Sequence, residues 1–327
     1  MFKIKVSTNF PDWPFIRQTP KSEGMLGNCK FFINQDIEDC DFWIVDGDLV
    51  KTEQTFCPKE NTIFIAGEPP TIKSYNKNFL NQFNYVITCD KKLHHSNKFY
   101  NQQAIPWQIG AYIDKYGYDE LKSLKKPEKN RIISVITTNK DWTSGHKKRI
   151  EFIFKLKEYF GDSLDVFGRG INEIRDKSMG ILSYKYSIAI ENSNFDNYWT
   201  EKLSDAFLGF SFPFYYGCPN IYDYFPQNSL RKIDIDDFDG SIKIIEKAIE
   251  DNCFENHFNE IVESRLLILD KYNFFSMMAG FCNKYYKKSE KIKILLKPER
   301  NFEKYNFKKY FNCKKIFLYV KKRFFNK

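Results

Sequence analysis

The stretch "YKYSIAIENSNFDNYWTEKLSDAFLGFSFPFYYG", residues 184–217, holds three elements in a row. Its first seven residues are rich in aromatic and β-branched side chains and read as a strand, and "SFPFYYG" (211–217) is a second short apolar run closed by glycine. Between them Leu203, Ala206, Phe207 and Phe210 recur at helical spacing, with Thr200 placed as N-cap. Strand, helix and strand in this order form a β-loop-α-β unit whose parallel strands require a right-handed crossover. Ligands of such sheets bind beyond the carboxyl ends of the strands, and Glu191, Asn192, Tyr198, Glu201 and Lys202 all map to that edge. Lys202 is the odd member: a cation in the first helical turn faces the positive end of the macrodipole unless an anion shares the site. A solvated turn with an ordinary Glu-Lys pair accounts for the same five residues taken alone.

Outward from this unit the pattern repeats. "RIISVITTN" (131–139) reads as a strand, "KKRIEFIFKLKEYF" (147–160) as a helix and "LDVFG" (164–168) as a further strand, the βαβ signature of a nucleotide-binding half. Residues 1–114 contain the strand-like runs "FKIKVST", "DFWIVDG", "NTIFIAG" and "FNYVITCD", with few helix signals between the early ones. The charged segment 115–130 is taken as the connection between two domains. The expected division is therefore 1–114, a linker at 115–130, 131–283, and a tail at 284–327.

A chain of 327 residues is long for one core, and 18% aromatic content is that of a globular protein. The net charge of +9 is unevenly placed: residues 284–327 hold sixteen Lys/Arg against three Glu, so the rest of the chain is slightly acidic. Eight cysteines without a C-x-x-C pair read as free thiols of a reducing compartment. The first residues lack a signal peptide's apolar core, and no run is long enough to span a membrane, so a cytoplasmic protein is expected.

Several chemistries lack their motifs. There is no G-x-G-x-x-G, since "GRG" at 168–170 is incomplete, and no Walker sequence. The four histidines form neither H-E-x-x-H nor a triad. Asp234 and Asp236 make a D-x-D that could hold a divalent ion, but they directly follow a strand-like stretch and fit its polar terminus. Two positions join the opening segment at the sheet edges. Arg149 lies near the start of the helix after the first strand of the second domain, and Glu68 follows a strand in the stiff turn "GEPP". Glu68 reads either as a carboxylate fixed at a domain edge or as a plain turn acid.

Taken together, "YKYSIAIENS", "YWTEK", "FPFYYG" and the later "IDIDDF" resemble the donor-binding motif of the α-1,3-fucosyltransferase family, and "IFIAGEPP" with "FNYVITCD" is similar to its F-x-G-E and F-D-Y elements. The resemblance covers most of residues 60–240. It implies a GT-B enzyme with two Rossmann-like domains facing across a cleft, the second holding GDP-fucose and the first a glycan acceptor. It also implies inversion at the anomeric carbon, with no cofactor and no metal in the chemical step. Position by position, Glu68 matches the general base, Arg149 and Lys202 the residues gripping the diphosphate, Asn192 and Tyr198 residues near phosphates and sugar, and Glu201 the acid reaching the ribose. On this reading the diphosphate is the anion beside Lys202. Trp199 and Phe212-Pro213-Phe214 depart from the family's smaller residues and would reshape the sugar pocket. Another nucleotide-sugar donor and a glycan-binding protein without turnover are the alternative readings.

The tail interleaves Lys/Arg clusters with Phe, Tyr, Ile and Leu, which suits an anionic membrane surface at the inner face of the membrane. With an acidic body and no recognition motif, nucleic acid is not the expected partner.

Overall fold

The protein is described by a computed structural model over residues 1–138 and 144–303. The expectations for 304–327, including Cys313 and most of the basic tail, lie outside the described residues, as does most of the loop after residue 138.

In chain order the first half runs β1 (Phe2–Thr8), β2 (Met25–Leu26), β3 (Cys29–Ile33), β4 (Phe42–Asp46), β5 (Glu53–Cys57), β6 (Thr62–Ile65), α1 (Lys77–Leu80), β7 (Tyr85–Thr88) and β8 (Lys98–Tyr100). The second half runs α2 (Tyr118–Ser123), β9 (Arg131–Ile136), α3 (Ser144–Phe160), β10 (Leu164–Phe167), β11 (Tyr184–Ile190), α4 (Glu201–Leu208), β12 (Phe212–Tyr216), β13 (Arg231–Lys232), α5 (Phe238–Glu250), α6 (Cys253–Asn256), α7 (Phe258–Asp270), α8 (Phe274–Tyr285) and β14 (Ile292–Leu296).

Two sheets organise the chain. The first has the order β2-β3-β1-β4-β6-β7-β8, parallel except for the short β2. The second, β10-β9-β11-β12-β13, is parallel throughout. Parallel sheets are covered on both faces, which is why their strands read as unbroken apolar runs. Side chains alternate between the two coverings of the first sheet. Ile4, Val6, Ile44, Ile63 and Ile65 pack under α8, against Phe274, Phe275 and Met278. Trp43, Val45, Phe64 and Val86 pack on the other face with Phe79, Leu80 and Leu296.

The chain does not keep to the divisions expected at 114 and 283. Trp107 and Ile109 are buried in the core of the second half, together with Ile188 and Leu203. After α7 the chain crosses back, so that α8 covers the first sheet and β14 pairs antiparallel with β5. The reason is burial: α8 carries Phe274, Phe275, Met278, Ala279 and Cys282 on the side that the first sheet leaves open, an area that solvent would otherwise reach. The charged segment also holds more structure than a linker, because Leu121 of α2 is fully buried.

Arg17 fastens the crossing segment to the first half, donating from Nη2 to the Trp107 carbonyl at 2.9 Å and from Nη1 to the carbonyls of Ile109 and Tyr116. Two acids fasten it to the second half. Asp176 accepts the amides of Gly110, Tyr112 and Ile113, and Asp205 accepts those of Gln108 and Ile109. The seven described cysteines are buried free thiols. No helix among the described residues is long and apolar enough to cross a membrane.

Candidate functional site

The site begins where β11 ends. Glu191 follows the strand directly, and its amide bonds to the Tyr216 carbonyl at 2.8 Å, which sets the first residue of the loop against the end of β12. The neighbouring Gly217 is obligatory there: with φ of +155°, a Cβ on it would stand 2.5 Å from Glu191 Cγ. The Glu191 carboxylate thus lies fully buried, taking the Thr200 amide at 2.8 Å, the Thr200 hydroxyl at 2.8 Å and Lys202 Nζ at 3.2 Å. Thr200 also caps α4, accepting from the Lys202 amide. One threonine therefore ties the helix start to the strand end.

The anion beside Lys202 is therefore present in the protein itself, a correction to the expectation that a diphosphate alone justifies the cation. Lys202 Nζ also reaches Glu201 Oε1 at 3.4 Å and the Thr200 hydroxyl at 3.1 Å. Burial pulls the Lys202 ammonium down, but Glu191 and Glu201 outweigh it and leave it above the ordinary lysine range. Burial likewise pushes the Glu201 carboxyl up, yet Lys202 and Lys177 together hold it down at about 2. Burial raises Glu191, which stays in contact with Lys202.

Arg149 reaches the same place from α3. It is 5% exposed, its Nε has no hydrogen-bond partner among the described residues, and burial lowers its pKa against the pull of Glu191, Glu201 and Tyr198. Its charge also acts on Lys202. Two cations from separate elements thus converge at the carboxyl edge of the second sheet. The Tyr198 hydroxyl donates to Asn192 Oδ1 at 2.9 Å, so these two residues form one unit.

The first half faces this edge with its own strand ends. Glu68 is exposed in the turn after β6, and its backbone amide lies against the Tyr75 hydroxyl. Its charge acts on the Tyr198 hydroxyl, which burial first, then Glu191, Glu68 and Glu201 push well above the ordinary range. The Thr71 and Ser193 hydroxyls meet across the gap at 2.6 Å. Arg149, Asn192, Tyr198, Glu201 and Lys202 thus gather at one edge of the second sheet, and Glu68 of the first half acts on Tyr198 across the gap that Thr71 and Ser193 bridge.

The D-x-D acids serve local structure. Asp236 pairs with Lys148 at 2.7 Å, and Asp234 accepts the Asp236 amide at 3.0 Å. Among the described residues no group of three or more His, Cys, Asp or Glu is arranged to hold a metal ion.

A family model for glycosyltransferase family 10 (fucosyltransferase), C-terminal region, matches residues 126–295. The chain belongs to glycosyltransferase family 10. A relative from Helicobacter pylori, the α-(1,3)-fucosyltransferase FucT, is 26% identical over 115 residues, which is 33% of this chain and 24% of that relative. The matched region thus spans about a quarter of the relative's length. A solved α1,3-fucosyltransferase with GDP-fucose superposes with a TM-score of 0.50 at 17% identity, over 88% of this chain and 91% of that one. A second, with GDP, gives 0.49 at 16% identity, over 84% and 92%. The fold is GT-B.

Two site residues carried no assigned role in the sequence. Lys177, the first residue of a short 3-10 helix (Lys177–Gly180) between β10 and β11, contacts Asp205 at 2.9 Å and Glu201 at 3.5 Å. Asp205 lies buried inside α4, and an acid among Leu203, Ala206 and Phe207 was the one available signal of a paired charge. Glu191 maps to the sheet edge by sequence, and the structure adds that it is the seat of Lys202.

Proposed function

We propose that the protein transfers fucose from GDP-fucose to a hydroxyl of a glycan acceptor with inversion at the anomeric carbon. The carrying observation is the convergence of Arg149 and Lys202 on one edge of a family 10 donor half, with Arg149 Nε left without a hydrogen-bond partner among the described residues. As the glycosyl bond breaks, negative charge grows on the departing nucleoside diphosphate, and preplaced cations stabilise that charge more in the transition state than in the ground state. Lys202 has three N–H donors and three partners among the described residues, so gripping a phosphate oxygen exchanges one of them, the 3.4 Å contact to Glu201 being the longest. Glu201 is then the acid for a ribose hydroxyl, and Asn192 with Tyr198 lines the sugar.

Glu68, opposite Tyr198, takes the proton of the acceptor hydroxyl as its oxygen attacks the face away from the leaving group. In this scheme the first sheet carries the acceptor and the second the donor. No step is routed through a metal or cofactor, and the D-x-D acids are occupied by Lys148 and by the turn itself.

The test is a donor panel with galactose- and N-acetylglucosamine-terminated acceptors, scored by released nucleotide. Transfer from GDP-fucose is expected; activity with another nucleotide sugar alone overturns the fucose assignment, and GDP binding with no transfer from any donor favours a binding protein.

A membrane-facing role of the C-terminal segment has one observation in its favour. On the β5–β14 ribbon Phe56 pairs across from Lys293 and Gln54 from Leu295, and all four are exposed, so an outward face mixes apolar and basic groups. Flotation with anionic vesicles, comparing the full chain with Phe56→Ser/Leu295→Ser, tests it; equal recovery of both removes that face from membrane binding.

A further inference from the structure

Five charged side chains alternate in sign from the crossing segment to the donor edge: Asp205, Lys177, Glu201, Lys202 and Glu191, with successive N···O distances of 2.9, 3.5, 3.4 and 3.2 Å. The outer acids are almost fully buried, at 1% and 0% exposure, and the inner three retain 21%, 16% and 22%. Asp205 cannot follow a ligand. Its Oδ1 accepts the amides of Gln108 and Ile109 at 2.7 and 2.9 Å, and its Oδ2 takes Lys177. Lys177 is also fixed along the chain, because the preceding Asp176 accepts the amides of Gly110, Tyr112 and Ile113. Its 2.9 Å contact to the fixed Asp205, shorter than either carboxylate contact of Lys202, anchors the Lys177 ammonium on the side away from the phosphate-gripping cations.

We propose that Lys177 is a positioning residue of the donor site, holding Glu201 by Oε1 so that Oε2 remains available to the ribose hydroxyls of a nucleoside diphosphate. The inference rests on the assignment of Glu201 to the ribose made above. Both ammonium contacts to Glu201 fall on Oε1, and Oε2 has no ion pair among the described residues. When Lys202 turns toward a phosphate, Glu201 loses one of its two cations in a partly buried place, where an unpaired carboxylate is costly. Lys177 is the cation that stays. The charges facing Glu201 are Lys177 and Lys202 in its favour, with Glu191 and Asp205 opposed and Arg149 nearby.

The test is calorimetric titration of the full chain with GDP and with 2′,3′-dideoxy-GDP, for wild type, Lys177→Met and Lys177→Arg. Wild type is expected to prefer GDP by roughly tenfold, the worth of a hydrogen-bonded charged group. Lys177→Met should lose roughly that factor for GDP and bind the dideoxy nucleotide about as wild type does, so that discrimination disappears. Lys177→Arg, which can still bridge two carboxylates, should keep it. Lys177→Gln is the reserve if the methionine variant does not fold, with the same outcomes deciding. Full discrimination in the neutral variants, or an equal loss for both nucleotides, overturns the inference while leaving the donor site standing. Wild type that binds neither nucleotide overturns the donor reading itself.

Discussion

The hydroxyl oxygens of Thr71 and Ser193 lie 2.6 Å apart, joining the turn that carries Glu68 to the loop that carries Asn192. This is a hydrogen bond between the halves of the cleft, three residues from the proposed base on one side and one from Asn192 on the other. A neutral hydrogen bond is worth about 1 kcal/mol, or roughly fivefold in an equilibrium. Thr71→Val should therefore lower kcat/KM by about that factor, and Thr71→Val/Ser193→Ala should be no worse than either single change, because both remove the same contact. Additive losses in steady-state kinetics would show that the two hydroxyls act separately.

The two cations of the site should differ sharply in what they do for stability. Lys202 neutralises the wholly buried Glu191. Removing one partner of such a pair strands the other, so Lys202→Ala should destabilise the fold by about 3 kcal/mol and weaken GDP binding as well. Arg149 is buried, and its Nε has no hydrogen-bond partner among the described residues. Arg149→Met should leave folding stability within about 1 kcal/mol of wild type, or raise it, while also weakening GDP binding. Chemical denaturation alongside calorimetry separates the two patterns; a large stability loss in Arg149→Met would contradict this account.

Glu68 belongs to the first half and is exposed, whereas both cations belong to the second, so its loss should leave GDP binding untouched. Glu68→Gln is expected to reduce turnover by about 10²- to 10⁴-fold, the usual contribution of a positioned general base, with the dissociation constant for GDP unchanged. Single-turnover rates together with GDP titration check both halves of the statement. An unaltered rate would move the base elsewhere in the cleft.

The second half was legible because its signals are local. Residues 184–190 form β11 with the expected bounds, and Thr200 caps the helix whose apolar positions Leu203, Ala206 and Phe207 are fully buried. What could not be seen depends on partners far away in sequence. Lys177 meets Asp205 28 residues on, from a stretch with no periodicity to place it. β5 and β14 pair across more than two hundred residues, and no window of sequence contains both. The helix α8 read as part of the donor half because its apolar face says only that it is buried, and not against which sheet. Sequence likewise marked Lys202 as needing an anion, but only the close approach of Gly217 to Glu191 shows where that anion is seated.

Asp46 supplies a pH dependence that is independent of the donor residues. It ends β4 at the cleft edge of the first sheet, and burial, with nothing opposing it, raises its pKa from 3.8 to about 7. A carboxyl raised in the folded state binds a proton that the unfolded chain has already released. Its contribution to stability is therefore full below pH 3.8 and is lost as pH climbs through about 7. Since the side chain keeps some access to water, the loss is set at about 2 kcal/mol rather than the full linkage value. Asp46→Asn should remove this term, raising stability at pH 8 relative to wild type by about that amount and changing little at pH 4. Paired denaturation curves at the two pH values measure it, and an equal effect at both would mean that Asp46 stays ionised throughout.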